Sequence, residues 1–309
     1  MDIFDKKGIN PMLIAEMVEP YDDANSIFEV KFDGIRCIAY IDSDAVDLRN
    51  KRDYKLLPRF PELSSIYKNC SCKCILDGEL IVALNGKPDF YEVQKRTLLR
   101  DPFKIRLASG KYPATFVAYD ILYYKDSDIT KIPLIERKQL LSNVVSENYF
   151  IAISRYIENN GIALYELAKK QNLEGVVGKT KESLYWFGKR SREWKKVKYL
   201  KYDDLIALGF IPKQNQMTSL VMGKYNDKDY MEITNYISLG VNLNKLKQNG
   251  MRIIATPFAP HIKPIDGVTW IEPMVCTVEY MPSKKEGMRQ AVLKNIRSDK
   301  KLEECRTDG

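Results

Sequence analysis

The stretch EVKFDGIR, Glu29 to Arg36, decides how the first half of the chain is read. It sets a lysine two residues before an Asp-Gly pair, directly after an alternating apolar–polar run. Such a lysine is either a solvated surface residue or a nucleophile. The longer run IFEVKFDGIRCIAYID (27–42) predicts a hairpin turning at Asp33-Gly34, because Asp-Gly between two alternating runs is a strong local turn signal. CILDGELIVAL (74–84) repeats the pattern at Asp77-Gly78. TFVAYDILYY (115–124) is an apolar run suited to a buried strand. LIERKQLLSNVV (134–145) and GIALYELAKKQ (161–171) carry apolar residues at helical spacing. LEGVVGK (173–179) returns to strand, and EWKKVKYLKYDDLIALGFI (193–211) begins as another.

The pattern changes near Tyr199–Asp204, where we place a domain boundary. Beyond it come short strands punctuated by glycine, DLIALGFI, SLVMGKY and MEITNYISLG. A helix (NLNKLKQNG) and a last strand, WIEPMVCTVEYM (270–281), follow. Several short strands with one helix suggest a small β-barrel. The Lys/Arg-rich stretch 284–301 reads as a solvated face.

A length of 309 residues suits two domains, and 45% hydrophobic residues suit a well-packed core. His261 is the single histidine, which excludes multi-histidine metal sites and argues against histidine acid–base chemistry. The net charge of +8 fits a polyanionic partner or plain solubility equally well. Six cysteines include the run CSCKC (70–74), whose spacing is not that of a zinc site. Reduced thiols in an intracellular protein are expected. The opening MDIFDKKGIN lacks a signal-peptide core and no apolar run is long enough to span a membrane, so a cytoplasmic location is expected.

A free lysine has a pKa of about 10.4 and is a poor nucleophile near neutrality unless its surroundings favour the neutral amine. Neighbouring cations or a metal can do that. In RSREWKKVKY, Lys196 and Lys198 stand two apart on a predicted strand and leave the same face. By themselves they could form a polar outer face. Asp33, Glu79 and Glu174 each lie close to a predicted strand end. Carboxylates and lysines converging on one cleft suit a nucleotide with Mg²⁺.

KFDGIR fits the K-x-D-G-x-R signature of the covalent nucleotidyltransferases: DNA ligases, RNA ligases and capping enzymes. DGELIV (77–82), FVAYD (116–120), LEGVVGK (173–179), WKKVK (194–198) and NIRSDKK (295–301) resemble the family's further motifs, in family order. Over nearly its whole length the chain resembles the ligase domain of bacterial ligase D, the ATP-dependent DNA ligase of non-homologous end joining. PMLIAEMVEP, DFYEVQKR, WIEPMVCTVEY and LKNIRSDKKLEEC carry that closer likeness. The resemblance implies an α+β fold. An adenylation domain of antiparallel sheets with flanking helices (1–200) would precede an OB-fold domain (201–309). It also implies a stand-alone ligase, since no polymerase or nuclease module is encoded.

The resemblance assigns roles as well. Lys31 would attack the α-phosphorus of ATP. Glu29, or the backbone beside it, would help read adenine. Tyr119 would stack on the base, with Phe116 the weaker candidate. Glu79 would hold the ribose, and Arg36 would contact sugar or phosphate. Glu174 would bind or orient Mg²⁺ (or Mn²⁺), with Glu79 a second metal candidate. Lys196 and Lys198, assisted by Arg190, would grip the α-phosphate. Arg297, Asp299 and Lys300 would orient the pyrophosphate. The family's Ser-Arg-Asn-Gly motif is altered in DLRNKRD, which keeps Arg49 and Asn50 but has Leu48 and Lys51 beside them. Arg49 is the candidate for contact near the nick. Lys195, where an apolar residue is common, should face away from the nucleotide. Nicked or broken duplex DNA is the implied partner, with Ku and a separate repair polymerase as family expectations. A monomer associated with the bacterial nucleoid is also implied. RNA ligase, capping guanylyltransferase and a non-catalytic OB-fold nucleic-acid binder are the competing readings.

Overall fold

In the computed structural model, which describes residues 2–215, 217–282 and 287–307, the strands flanking Asp33-Gly34 belong to different sheets. The predicted hairpin is therefore wrong. Gly34 does not take a positive φ, which a two-residue type I′ turn would need. It is glycine because another strand passes too close: an added Cβ would lie 2.2 Å from the Leu80 carbonyl oxygen. Asp77-Gly78 is not a turn either, but the middle of a long strand. A Cβ on Gly78 would meet the Val117 carbonyl oxygen at 2.5 Å and the Phe116 ring at 2.7 Å. Both glycines answer close tertiary approach, which is the other use of a missing side chain.

The chain divides into two compact units, Met1–Tyr199 and Leu200–Gly309, and is mostly sheet with few helices. In the first unit the strands are β1 (Leu13–Met17), β2 (Asp23–Val30), β3 (Ile35–Ile41), β4 (Val46–Asn50), β5 (Cys74–Leu84), β6 (Lys87–Pro88), β7 (Ala114–Tyr124), β8 (Ser127–Asp128), β9 (Ile151–Ile153), β10 (Tyr156–Asn159), β11 (Gly175–Thr180) and β12 (Arg190–Lys198). One sheet runs β1-β12-β11-β2-β10; the other runs β4-β3-β5-β7-β8, with β6 on β5 and β9 on β7. The expectation of antiparallel sheets needs correcting, because β1 pairs with β12, and β7 with β9, in parallel. Parallel neighbours require long connections, and both pairs have them.

The helices are α1 (Ile3–Lys6), α2 (Phe90–Leu98), α3 (Pro102–Lys111), α4 (Leu134–Val144) and α5 (Gly161–Lys170). Sequence reading gave α4 and α5 but missed α2 and α3, although both have start signals. Asp89 caps α2 by accepting from the Glu92 amide. Asp101 caps α3, with Pro102 in its first turn.

Strand alternation sorts the side chains into three cores. Ile27, Ile38, Tyr40, Ile75, Tyr123 and Trp194 join the two sheets face to face. Cys37, Leu76, Phe116 and Ala118, from the other side of the second sheet, pack with Phe60, Val93 and Leu141. Val176 and Val197, behind the first sheet, pack against Ala168 of α5. Each large apolar side chain so buried contributes roughly 1.5–3 kcal/mol.

In the second unit, β13 (Lys201–Pro212), β14 (Thr218–Tyr225), β15 (Met231–Ile237), β16 (Thr269–Met281) and β17 (Arg289–Ile296) form one sheet in the order β15-β14-β13-β16-β17, with α6 (Leu243–Gln248) beside it. Just past β15, Leu239 bridges to Val292 of β17. The reading of 284–301 as a solvated face is corrected for its described part. Residues 289–296 are a strand paired with β16, whose Ala291, Leu293 and Ile296 pack on the core. Residues 284–286 of that stretch lie outside the described residues.

Candidate active site

The inward faces of the two sheets carry the charged residues. On β12, Trp194, Lys196 and Lys198 alternate with Lys195 and Val197. Val197 belongs to the core under α5, and the Lys195 ammonium lies 5.4 Å from the centre of the Tyr21 ring on that same outer side. Lys195 therefore faces away from the cleft, as period-two alternation requires.

Lys31 lies just past the end of β2, in the segment that crosses from one sheet to the other. Its backbone N–H donates to the Gly175 carbonyl at 2.9 Å. Its ammonium donates to Glu174 Oε2 at 2.6 Å, while Lys198 Nζ sits 3.4 Å from Glu174 Oε1. Gly175 makes this possible: its φ is +140°, and a Cβ there would fall 2.0 Å from the Val197 carbonyl oxygen. Cross-strand register sets Lys198 opposite Gly175 and Lys196 opposite Val177. Burial, then Lys198, Lys31 and Arg190, hold the Lys196 ammonium below its usual pKa. Arg190 itself is exposed at the start of β12, with Nη1 3.3 Å from the Ile14 carbonyl.

Across the cleft, Asp77 and Glu79 project from β5. Asp77 is fully buried and holds Arg36 through Nε at 3.0 Å and Nη2 at 2.6 Å. Arg36 Nη1 donates to the Met12 carbonyl at 2.6 Å, and the Tyr185 hydroxyl donates to Asp77 at 2.7 Å. Arg36 Nη2 also donates to the Tyr185 hydroxyl at 3.2 Å, so the protein leaves a single N–H, on Nη1, for a ligand. The Glu79 side chain takes no hydrogen bond or ion pair among the described residues. Burial raises its pKa to about 8, against the pull of Lys31 and Arg36 and with the push of Glu174 and Asp77.

At the far end of the cleft, Glu29 is buried within a small polar network. Lys138 Nζ lies 2.6 Å and Lys179 Nζ 3.0 Å from Glu29 Oε1, and the Ser154 hydroxyl donates to Oε2 at 2.7 Å. Burial alone would raise the Glu29 pKa, yet the two lysines hold it below its usual value. Burial lowers Lys179 to about 8, opposed by Glu29. Lys179 also stands 4.6 Å over the Tyr119 ring and 4.3 Å over Trp194. Sequence reading missed Lys138 and Lys179. Lys179 could have been found by alternation, since it shares a face with Val177.

Tyr119 lines this end of the cleft, edge-to-face with Trp194. Phe116 does not: it is fully buried on the opposite side of β7, against Gly78, and packs in the core. Spaced three apart on β7, the two rings leave opposite faces of the strand. Arg49, on the outer strand β4, pairs with Asp47 at 2.9 Å and Asp53 at 2.7 Å, and neither carboxylate belongs to the Lys31 cluster.

In the second unit, Arg297 binds Asp299 through Nε and Nη2, each at 2.7 Å. Arg297 Nη1 and Lys300 Nζ also reach Asp204 Oδ2, at 3.2 and 2.9 Å. Asp204 was not singled out by the sequence.

The donor set fits a hard divalent cation. Glu174 and Glu79 offer carboxylate oxygens beside the nucleophile, and the Glu79 side chain has no partner to displace among the described residues. Among the described residues no group of three or more His, Cys, Asp or Glu side chains gathers to form a full cage. A cation here would draw its other ligands from phosphate and water, the habit of Mg²⁺.

The family model of the ATP-dependent DNA ligase domain matches residues 11–198. The prophage-derived DNA ligase-like protein LigB of Bacillus subtilis is 28% identical over 280 residues, covering 90% of this chain and 95% of that protein. The bifunctional non-homologous end joining protein LigD of the same organism is 30% identical over 212 residues. That match covers 63% of this chain but only 35% of LigD. Among solved structures, a mycobacterial DNA ligase D complexed with ATP and MES superposes with a TM-score of 0.58 at 23% identity, covering 99% of both chains. That likeness establishes a shared fold.

Proposed function

The chain belongs to the ATP-dependent DNA ligase family, and from that premise we propose how its residues divide the work of sealing DNA. The first unit serves as the adenylation domain and the second as an OB-fold. In support of the latter, five strands form one sheet whose ends are bridged by Leu239 and Val292.

The observation that carries the reading is the Lys31 amine held at 2.6 Å by Glu174, with Lys196 and Lys198 on the adjoining strand pair. Lys31 attacks the α-phosphorus of ATP. An N–P bond forms, the P–O bond to the β-phosphate breaks, and pyrophosphate leaves. Glu174 orients the amine and is the nearest base for its proton. Lys196 and Lys198 offset the charge that builds on the α-phosphate oxygens. Tyr119 stacks on adenine, while Glu29 and Lys179 offer its edge one acceptor and one donor. Glu79 and the spare Nη1 N–H of Arg36 take the ribose. Mg²⁺ (or Mn²⁺), held by Glu174 and Glu79, would neutralise triphosphate charge and favour the departure of pyrophosphate. Arg297, Asp299 and Lys300 orient that pyrophosphate.

AMP then passes from Lys31 to the 5′-phosphate of a nick. The 3′-hydroxyl attacks that phosphate, the strand is joined and AMP leaves. Arg49, once released from Asp47 and Asp53, is the contact near the nick. DNA is held chiefly through its phosphates, so binding weakens with salt and depends little on sequence. The relation to LigD supports a role in repair by end joining, in which Ku and a separate polymerase would be partners. A cytoplasmic, nucleoid-associated location follows from that role. Among the described residues no helix is long and apolar enough to cross a membrane.

The test is to incubate the protein with α-labelled ATP and Mg²⁺, denature it and measure retained label. The wild type should retain label and Lys31→Ala none, with thermal unfolding showing that the variant folds. Equal label on both would refute the assignment.

A further inference from the structure

The loop after β17 carries Arg297, Asp299 and Lys300, and a carboxylate from another strand holds it in place. Asp204 stands on β13 opposite Thr277 of β16, and Thr277 stands opposite Asn295 of β17. Three neighbouring strands thus bring Asp204 beneath the loop. The Thr277 hydroxyl donates to Asp204 Oδ1 at 2.6 Å and fixes the carboxylate plane. The other oxygen receives Lys300 Nζ at 2.9 Å and Arg297 Nη1 at 3.2 Å. The Arg297 amide closes the frame by donating to the Val275 carbonyl at 2.8 Å.

Asp204 is the least exposed member of the group. Its side chain is 14% exposed, against 36% for Arg297 and 24% for Lys300. Charge-assisted bonds in such a setting are stronger than exposed ion pairs and hold direction as well as distance. Asp299 occupies the Nε–Nη2 edge of the guanidinium. Asp204 takes one position on Nη1 and one of the three ammonium donors of Lys300. The N–H groups left over, from two cations drawn to one oxygen, form a donor set suited to a phosphate group. Without the Asp204 charge, Arg297 and Lys300 would repel each other and the set would scatter.

We propose that Asp204 is a positioning residue for the adenylation step: it holds Arg297 and Lys300 as one unit whose free donors meet the pyrophosphate. The inference rests on the assignment of those two residues to pyrophosphate. Asp204 touches no substrate and acts only through them. Pyrophosphate is present when Lys31 is adenylated and absent when an already adenylated nick is sealed, so the effect of Asp204 is confined to the first step. The same argument makes Thr277 a weaker contributor to the same step, since it aims Asp204 without carrying charge.

The experiment compares Asp204→Asn, Thr277→Val and Arg297→Ala with wild type in two assays. One follows lysyl-AMP formation over a range of ATP concentrations; the other follows sealing of a pre-adenylated nick without ATP. Thermal unfolding and the reverse reaction, release of ATP from the adenylated enzyme by pyrophosphate, are measured on each. Asp204→Asn should lower the rate of adenylation by about tenfold or more, and Thr277→Val by about two- to fivefold. The pyrophosphate concentration needed for reversal should rise in both, and sealing should stay within about threefold of wild type. If Asp204→Asn slows both steps equally, or only lowers the unfolding temperature, Asp204 is merely structural and the inference falls. If Arg297→Ala spares adenylation, the pyrophosphate assignment itself fails and takes the inference with it.

Discussion

Glu174 holds two lysines at once, whereas Arg297 is held by two aspartates. Around Lys31 the cations Arg190, Lys196 and Lys198 gather on one strand, and after burial their mutual repulsion helps hold the Lys196 ammonium below its usual pKa. In the loop after β17 Arg297 and Lys300 each already have an anion. Cations crowded on one strand, as in the first arrangement, repel one another, and phosphate oxygens would relieve that repulsion. The second is complete in itself, and a ligand can use only the donors that its aspartates leave. One region is built to be filled, the other to be aimed.

Four experiments would break or sharpen this contrast. The largest effect is expected at the shared carboxylate. Glu174→Gln keeps the shape but removes the charge that holds Lys31, and lysyl-AMP formation should fall by about 10²–10³-fold. A loss under threefold in labelling kinetics would mean that Lys31 is positioned by something else. Next come the two rings of β7. Phe116→Ala should cost roughly 3–5 kcal/mol of stability by denaturant titration, with the ATP requirement unchanged below the unfolding transition. Tyr119→Ala should raise the ATP concentration for half-maximal labelling by about tenfold, at the value of roughly 1–3 kcal/mol for a stacked base. Exchange of these two outcomes would reverse the assignment of faces on β7.

In the self-paired loop, Asp299→Ala should slow adenylation more than sealing, by about tenfold. Equal loss in the two steps would argue against a pyrophosphate role.

The smallest effect concerns Glu79. Its folded pKa, about 8, lies above the usual 4.5, so the folded state binds the extra proton between those values. The stability this confers is full below pH 4.5 and is lost as pH rises through 8. Glu79→Gln cannot ionise, and its melting temperature relative to wild type should rise across that window. A constant difference from pH 5 to pH 8.5 would show that Glu79 ionises normally, at about 4–5 like an unburied glutamate.

The sequence disclosed the chemistry more readily than the path of the chain. Lys196 and Lys198 were legible because alternation alone puts residues two apart on one face. Lys31 was legible because the motif around it is dense. Asp33-Gly34 misled because a turn and a close approach ask for the same residue, and the Leu80 carbonyl that decides between them lies on a strand far along the chain. Phe116 and Tyr119 were left as alternatives although a spacing of three puts them on opposite faces, because which face meets the cleft is decided by what packs on either side of β7, not by their own neighbours. Lys138 and Asp204 carry no local sign of their roles. Each is an ordinary charged residue until folding buries it against Glu29, or beneath Arg297 and Lys300.

The most direct test is to locate the nucleotide. After incubation with ATP and Mg²⁺, proteolysis and mass spectrometry should find one AMP, bound through phosphorus to the Lys31 amine, on the peptide containing KFDGIR. That peptide should return to its unmodified mass when nicked DNA is added. An adduct on Lys196, Lys198 or Lys179 instead, or none after exposure to ATP, would contradict the account.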